Sequence, residues 1–329
     1  MLMMVRILVV SGFLGSGKSS LLRCLLKDVR LSNARLIINE FGEVPIDHVL
    51  LRVAAERTRV LSGGCLCCAF RDDLSLEIRS LIDEMRVNGD YESQAYIIIE
   101  TSGLADPVAI QHTLVADPVL RNQVRLQHIV VTVDATNFLE SVQRFPEVQH
   151  QVVAADTLVI TKRDLADDGV IETVLSTLNA LNPAGLVVFA DHGVPDVDLV
   201  DRTTQPGNLA LRENGAIEHQ SVQFVHTDHL VSGILELPRE IDWSAFVFWL
   251  SLLLHRHGAK VLRVKGIVHP ADSQHPVAIH AAQHVMHYPE HIQDTSCEAR
   301  NRLVVVTRGL PPGLLAQSLA AFQSAACRL

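Results

Sequence analysis

No stretch of this 329-residue chain reaches the roughly 18 consecutive apolar residues of a membrane-spanning helix. Nor is there a lysine- or arginine-rich run, and the net charge is −9, so the bulk composition carries no nucleic-acid footprint. Internal repeats and low-complexity tracts are also missing. The opening MLMMVRILVV is apolar, but it lacks the basic n-region and small-residue cleavage site of an export signal. It reads instead as a first buried strand, and a cytoplasmic, reducing location is the expectation. Neither a membrane nor a nucleic acid is expected as a partner. Cysteine is scarce, six in all, and a reducing compartment disfavours a structural disulfide among them. What remains is ordinary for a soluble globular protein: 48 % hydrophobic and 20 % charged residues, with length enough for two domains.

The first half alternates apolar runs of strand length with segments of helical spacing. Strands are expected at Arg6–Val10, Arg35–Ile38, Ala95–Glu100, His128–Val133, Thr157–Thr161 and Leu186–Ala190. Most are apolar throughout, as in strands buried on both faces of a parallel sheet. Helices are expected at Ser19–Leu26, Asp72–Arg86, Pro107–Val115 and Ile171–Asn179. The pattern predicts an α/β fold, a P-loop NTPase domain with a mostly parallel, doubly wound sheet over residues 1–195. Residues 196–216 are polar and turn-rich and read as a linker. Residues 217–329 read as a smaller α+β domain. Its strands are expected at Val222–Val225, Gly233–Leu237, Lys260–Val268, Val277–Ala281 and Leu303–Thr307, its helices at Ser244–Leu254 and Pro311–Phe322.

Gly12-Phe-Leu-Gly-Ser-Gly-Lys-Ser19 matches GxxxxGK[ST] in full, between a strand and a helix. Gly12, Gly15 and Gly17 let backbone amides converge on phosphate oxygens, helped by Ser16, Ser20 and the positive end of the helix. Lys18 is placed to reach the β- and γ-phosphates and Ser19 to ligate Mg²⁺. Thr161-Lys162-Arg163-Asp164 follows an apolar strand where a guanine-reading [N/T]KxD motif belongs, with threonine in place of the commoner asparagine. The Asp164 carboxylate would accept from the paired donors of guanine, which adenine lacks. The loop Ala190–Gly193 would flank the base, with His192 an ordinary loop histidine. The run IIIETSG ends in Glu100, suited to hold Mg²⁺ or orient water, and Gly103 is placed to donate its N–H to the γ-phosphate. Asn39-Glu-Phe-Gly-Glu43 is the natural first switch. Asn39 and Glu40 are candidates for the metal–nucleotide shell, and Glu40 joins Lys18 and Glu100 as a catalytic candidate.

GGCLCC puts Cys65, Cys67 and Cys68 between this switch and the Glu100 strand. Three thiolates within one turn can supply most of a tetrahedral shell for Zn²⁺, Co²⁺ or Cu⁺. The spacing is too tight for paired zinc knuckles, and Cys297 and Cys327 stand alone. A fourth ligand must come from elsewhere in the fold, from solvent, or from a second copy in a homo-oligomer. An incomplete shell suits release of the ion better than scaffolding. Cys24, on the phosphate-loop helix, is expected to be buried and inert.

With GFLGSGKS (12–19), NEFGEV (39–44), GGCLCC (63–68), ETSGLADP (100–107), TKRD (161–164), LRVKG (262–266) and QHVMHYPEH (283–291), the chain resembles the CobW-like P-loop GTPases, including their YjiA-like subgroup. The likeness covers nearly the whole chain. It implies a metal-dependent GTPase chaperone that loads zinc, cobalt or another divalent ion onto a client metalloprotein. The bound species implied are GTP or GDP, Mg²⁺, and Zn²⁺ or Co²⁺. Carried over, Cys65, Cys67 and Cys68 are the metal thiolates and Glu43 an auxiliary ligand. In the subgroup an acid can precede NEFGE, where this chain has Ile38. No arginine finger can be assigned, so slow hydrolysis is expected without metal and client.

Most of the sixteen histidines lie in 219–291, scattered rather than in a run, and packing or client contact is their default reading. Trp243, Phe246, Phe248 and Trp249 are expected in the core. Two other functional classes compete: an ATP-dependent P-loop enzyme on a small molecule, and a zinc-sensing interaction protein with weak GTPase activity. The motif TKRD speaks against the first, and the set Lys18, Ser19 and Glu100 against the second.

Overall fold

The computed structural model describes residues 4–39, 58–61, 68–89, 95–200, 220–222, 230–238, 241–273, 275–292 and 301–326. The chain divides into two compact units, Met1–Leu175 with Leu186–Thr204, and Ser176–Gly185 with Gln205–Leu329.

In the first unit the apolar runs become strands β1 (Val5–Gly12), β2 (Arg35–Asn39), β3 (Thr58–Leu61), β4 (Tyr96–Glu100), β5 (Val124–Asp134), β6 (Thr157–Thr161), β7 (Leu186–Asp191) and the short β8 (Val194–Pro195). Their order across the sheet is β3-β2-β4-β1-β5-β6-β7-β8. Every pairing is parallel except the last. Strands β2, β4 and β6 are buried along their whole length, which is why their sequences do not alternate. Strand β1 lies between β4 and β5, so the chain leaves β1 toward one edge and later returns to its other side. The crevice at the carboxyl ends of β1, β4 and β5 is where such a sheet binds ligands.

The helices of this unit are α1 (Lys18–Leu25), α2 (Cys68–Val87), α3 (Val108–Ala116), α4 (Phe138–Arg144) and α5 (Pro146–Ala154), while α6 (Asp168–Leu181) begins in it and passes into the second unit at Ser176. Leu74, Ile78, Leu81, Ile82 and Met85 give α2 a fully buried stripe at helical spacing. The pair α4 and α5 was not expected. These helices are short and abut at Phe145-Pro146, where proline opens the second helix as a pre-organised first residue. Cys24 is half-buried rather than buried, because the core stripe of α1 consists of Leu21, Leu22 and Leu25. Ile38 is buried and paired with Glu100 in the sheet.

An ion pair between the buried Asp117 and the partly exposed Arg79 ties α2 to the end of α3. Asp117 accepts from Arg79 Nη2 at 2.6 and 2.5 Å, from the Ser75 hydroxyl, and from the amides of Val119 and Leu120 at 2.8 and 3.0 Å. Burial pushes the Asp117 carboxyl up, but the bonds from Arg79, Ser75 and the two amides outweigh it and hold its pKa well below the usual range. A folded-state pKa below the unfolded value contributes stability above the ordinary carboxylate value of 3.8 and loses it as pH falls below that. Asp117→Asn is therefore expected to cost about 2 kcal/mol at pH 7. Chemical denaturation at pH 7 and pH 3 checks this, the deficit shrinking at the lower pH.

The second unit is built on an antiparallel sheet of β9 (Gln220–Val222), β10 (Leu230–Glu236), β11 (Val261–Val268), β12 (Val277–Ala282), β13 (Val285–Met286), β14 (Glu290–His291) and β15 (Arg302–Arg308). The order is β13-β12-β11-β15-β10-β9, with β14 on β12. Helices α7 (Trp243–His257) and α8 (Pro312–Ala326) complete its core, where Phe246, Trp249, Leu250, Leu315 and Leu319 meet Val264, Ile279 and Leu303. The Asp242 side chain caps α7 by accepting from Ala245 N at 2.8 Å. Phe248 departs from expectation. It is 61 % exposed on the outer face of α7, where its ring meets Phe322 of α8. The core stripe of α7 runs through Phe246, Trp249, Leu250 and Leu253 and leaves Phe248 outside. The first unit is thus a mostly parallel α/β layer and the second a smaller α+β fold.

Candidate functional site

The chain leaves β1 at Gly12 and re-enters a helix at Lys18 through three left-handed glycines, Gly12 (φ 139°), Gly15 (φ 72°) and Gly17 (φ 93°). A β-carbon on Gly12 would stand 2.3 Å from Thr132 Oγ1 and 2.7 Å from Ser16 Oγ, so both space and backbone conformation demand glycine there. Ser16 turns its hydroxyl inward, donating to Phe13 O at 2.7 Å and lying 2.6 Å from Thr132 Oγ1. Lys18 Nζ curls over the loop, donating to Gly12 O at 2.9 Å and Phe13 O at 3.1 Å. Its ammonium already lies against the loop that phosphates would enter. The tip is held from outside by Phe13, whose ring meets that of Phe145, between α4 and α5, at 4.9 Å and a tilt of 36°.

Ser19, at the start of α1, donates to Glu100 Oε1 at 3.2 Å, joining the phosphate loop to the end of β4. After Glu100 the chain stays against β1: Thr101 N donates to Val10 O at 3.0 Å and Thr101 Oγ1 to Ser11 Oγ at 2.8 Å. Gly103 then passes directly beside the loop tip. A β-carbon there would fall 2.5 Å from Leu14 Cδ2 and 2.7 Å from Leu14 N. The fold thus brings Lys18, Ser19, Glu100 and Gly103 together around one loop. The oxygen donors suit Mg²⁺, a hard cation: the Ser19 hydroxyl, the Glu100 carboxylate, and Asn39 at the end of β2. Asn39 is buried, and its Oδ1 has no hydrogen-bond partner among the described residues.

TKRD sits at the end of β6. Thr161 Oγ1 is within reach of Ser16 O (2.8 Å) and Val133 O (3.2 Å) and donates its one hydrogen to either. A hydroxyl thus bridges the motif to the phosphate loop where asparagine is commoner. Lys162 adopts a left-handed conformation (φ 55°) and donates to Asp134 Oδ2 at 2.6 Å. Arg163 lies over the Phe189 ring, and Asp164 is exposed in the following 3₁₀ turn. The next loop returns to α1, for Gly193 lies so close that a β-carbon would meet Ser20 O at 2.8 Å. His192 is exposed there.

Two residues of this region were missed in the sequence. Asp134 ends β5 as Glu100 ends β4, the visible signal being an acid closing an apolar strand. Burial raises its pKa, but hydrogen bonds from Lys162, Asn137 and Thr136 prevail and hold it below the usual range. Gln151, a polar residue between the buried Val148 and Val152 of α5, donates to Gly103 O and Ala105 O, each at 3.0 Å. The loop tip and α5 also share a cavity of about 270 Å³, lined by Phe13, Leu14, Asp134 and Gln151 among others.

Of the cysteine motif, Cys68 is the first residue of α2, while Cys65, Cys67, Glu40 and Glu43 lie outside the described residues. Among the described residues no three His, Cys, Asp or Glu side chains gather as a metal site. Of the C-terminal histidines among the described residues, His255, His257, His275 and His291 are exposed. His284 Nδ1 lies 2.9 Å from Leu254 O, against Gly258, where a β-carbon would strike the imidazole at 2.3 Å. No helix among the described residues is long and apolar enough to cross a membrane.

Residues 6–189 match the family described as CobW/HypB/UreG, nucleotide-binding domain, and residues 230–323 match the cobalamin synthesis protein cobW C-terminal domain. The chain is 30 % identical over 266 residues to the zinc chaperone YjiA of Escherichia coli (strain K12), covering 80 % of this chain and 81 % of that protein. It is 28 % identical over 294 residues to the zinc chaperone CobW of Sinorhizobium sp, covering 78 % and 79 % respectively. Among solved structures, the Zn(II)-bound YjiA GTPase from E. coli superposes with a TM-score of 0.65 at 23 % identity, covering 97 % of this chain and 99 % of that one. At that identity the likeness speaks for the fold.

Proposed function

Because the chain belongs to the CobW/HypB/UreG family of metal-associated P-loop NTPases, we propose that it is a GTPase metallochaperone. It couples GTP binding and hydrolysis to the capture and transfer of a divalent transition metal, zinc or cobalt, to a client protein. The observation that carries this reading is the meeting of Lys18, Ser19, Glu100 and Gly103 around one glycine loop.

In the proposed reaction GTP and water give GDP and phosphate. The loop amides and Lys18 hold the β- and γ-phosphates, and Lys18 exchanges its bonds to Gly12 O and Phe13 O for phosphate oxygens as the nucleotide enters. Ser19, Glu100 and Asn39 would hold Mg²⁺, which when bound neutralises charge on the phosphate oxygens. Gly103 donates its N–H to the γ-phosphate and loses that partner when phosphate leaves. Lys162 braces the base pocket from Asp134, and Asp164 accepts from guanine. Cys65, Cys67 and Cys68 bind the transferred ion as thiolates. Cys68 opens a 20-residue helix, whose N-terminus favours an anionic group. Transfer is ligand exchange, with no change in oxidation state. Since the cysteines lie between NEFGE and ETSG in the chain, contacts of both motifs with bound Mg-GTP would assemble the metal site, and hydrolysis would loosen it.

Phosphate release from GTP and from ATP, with Mg²⁺ and with Zn²⁺ or Co²⁺ present, tests the reading. GTP is expected to be turned over at least about tenfold faster. Equal use of ATP would favour a small-molecule P-loop enzyme. No release from either would favour a zinc-sensing interaction protein.

A further inference from the structure

Gln151 stands out as a buried side chain whose hydrogen-bonding capacity is spent on a loop that the proposed reaction requires to move. It is 1 % exposed, and its amide nitrogen donates to the carbonyls of Gly103 and Ala105, both at 3.0 Å. An amide nitrogen carries two hydrogens, and the two carbonyls account for both. The loop between them is tightly turned, with Ala105 N donating to Ser102 O at 3.1 Å. On its other side Leu14 of the phosphate loop presses against Gly103. The 103–105 backbone is therefore gripped between the phosphate-loop tip and α5. The same stretch of chain holds the tip, through Phe13 on Phe145.

We infer that Gln151 is the positioning residue of the hydrolytic loop. It holds the carbonyls of Gly103 and Ala105 so that the Gly103 N–H faces the γ-phosphate, and it sets how readily the loop relaxes when phosphate leaves. Gln151 touches neither nucleotide nor metal in this role and acts only through the loop backbone. The inference rests on the GTPase reading above. It extends that reading by assigning control of the second switch to α5.

The test compares wild type, Gln151→Glu and Gln151→Met in single-turnover phosphate release from Mg-GTP between pH 5.5 and 8.5, alongside GDP affinity by fluorescence titration. An ionised glutamate has no hydrogen to donate and faces two carbonyl oxygens. A protonated one regains a single O–H donor, and burial raises the pH at which it forms. At pH 8, Gln151→Glu is expected to hydrolyse GTP up to about 10²-fold more slowly, with GDP affinity little changed. Its rate should recover in part as pH falls. Gln151→Met keeps the volume, loses the donors, and should be slow at every pH; it also keeps the test decisive if the buried carboxylate unfolds the chain. The neighbouring ionisable groups are His150, with Nδ1 at 3.8 Å from Asp106, and Asp134, Glu140 and Arg144, which line the cavity with Gln151; they are common to all three proteins and are removed by referring each profile to wild type. A glutamate variant as fast as wild type at pH 8 overturns the inference and leaves the GTPase reading standing. So does a loss of rate in both variants matched by an equal loss of GDP affinity. A wild type that never hydrolyses GTP overturns both.

Discussion

Lys18→Ala is expected to lower GTP turnover by about 10²- to 10³-fold, the loss typical of removing one preorganised electrostatic stabiliser. Lys18 has one place in the fold. It follows the left-handed Gly17 as the first residue of α1, and its Nζ lies against the loop carbonyls at 2.9 and 3.1 Å. Nothing else of the loop can supply a mobile positive charge, since its other groups are amides and the hydroxyls of Ser16, Ser19 and Ser20. The Ser16 hydroxyl faces inward. The cost to folding should be small, about 1 kcal/mol, the usual net worth of such hydrogen bonds. Single-turnover phosphate release with a parallel thermal melt separates the two effects. Lys18→Arg should be impaired as well, because a planar fork does not replace a compact ammonium at this position. Turnover by Lys18→Ala within a few-fold of wild type would remove the phosphate loop from the mechanism.

The second large effect is expected from replacing Cys65, Cys67 and Cys68 together by serine. Serine keeps the size but supplies no thiolate, and affinity for Zn²⁺ or Co²⁺ should fall by at least about 10³-fold. Competition against a chromophoric chelator measures it, and with cobalt the thiolate charge-transfer absorption should vanish. Retention of tight metal binding by the triple variant would move the metal site elsewhere in the chain.

Much of this fold is written in short-range patterns. Strands buried on both faces are apolar throughout, so β1, β4 and β6 were legible almost residue by residue, and the glycines of the phosphate loop announced their backbone geometry. The helix α2 was foreseen over Asp72–Arg86 from its apolar spacing and begins four residues earlier, at Cys68. What escaped depended on partners remote in sequence. The helices α4 and α5 are too short for periodicity to speak, and they matter only because Phe145 and Gln151 meet loops more than forty residues away in the chain. Asp134 gains its meaning from Lys162, just past the end of β6. Phe248 looked like core because a helix so rich in apolar residues does not declare which face is covered. Thr161, in place of the commoner asparagine, finds its reason only in three dimensions, as a hydroxyl beside Ser16 O.

The phosphate loop, the Glu100–Gly103 loop and the cysteine motif form one linked system in this account, so ion affinity depends on the nucleotide state, and nucleotide affinity on the ion by the same factor. Competitive titration of the intact protein with Zn²⁺ or Co²⁺, in Mg²⁺ with either GDP or a non-hydrolysable GTP analogue, tests this directly. Tighter ion binding in the GTP-analogue state is the predicted result. Equal affinity in the two states would contradict it.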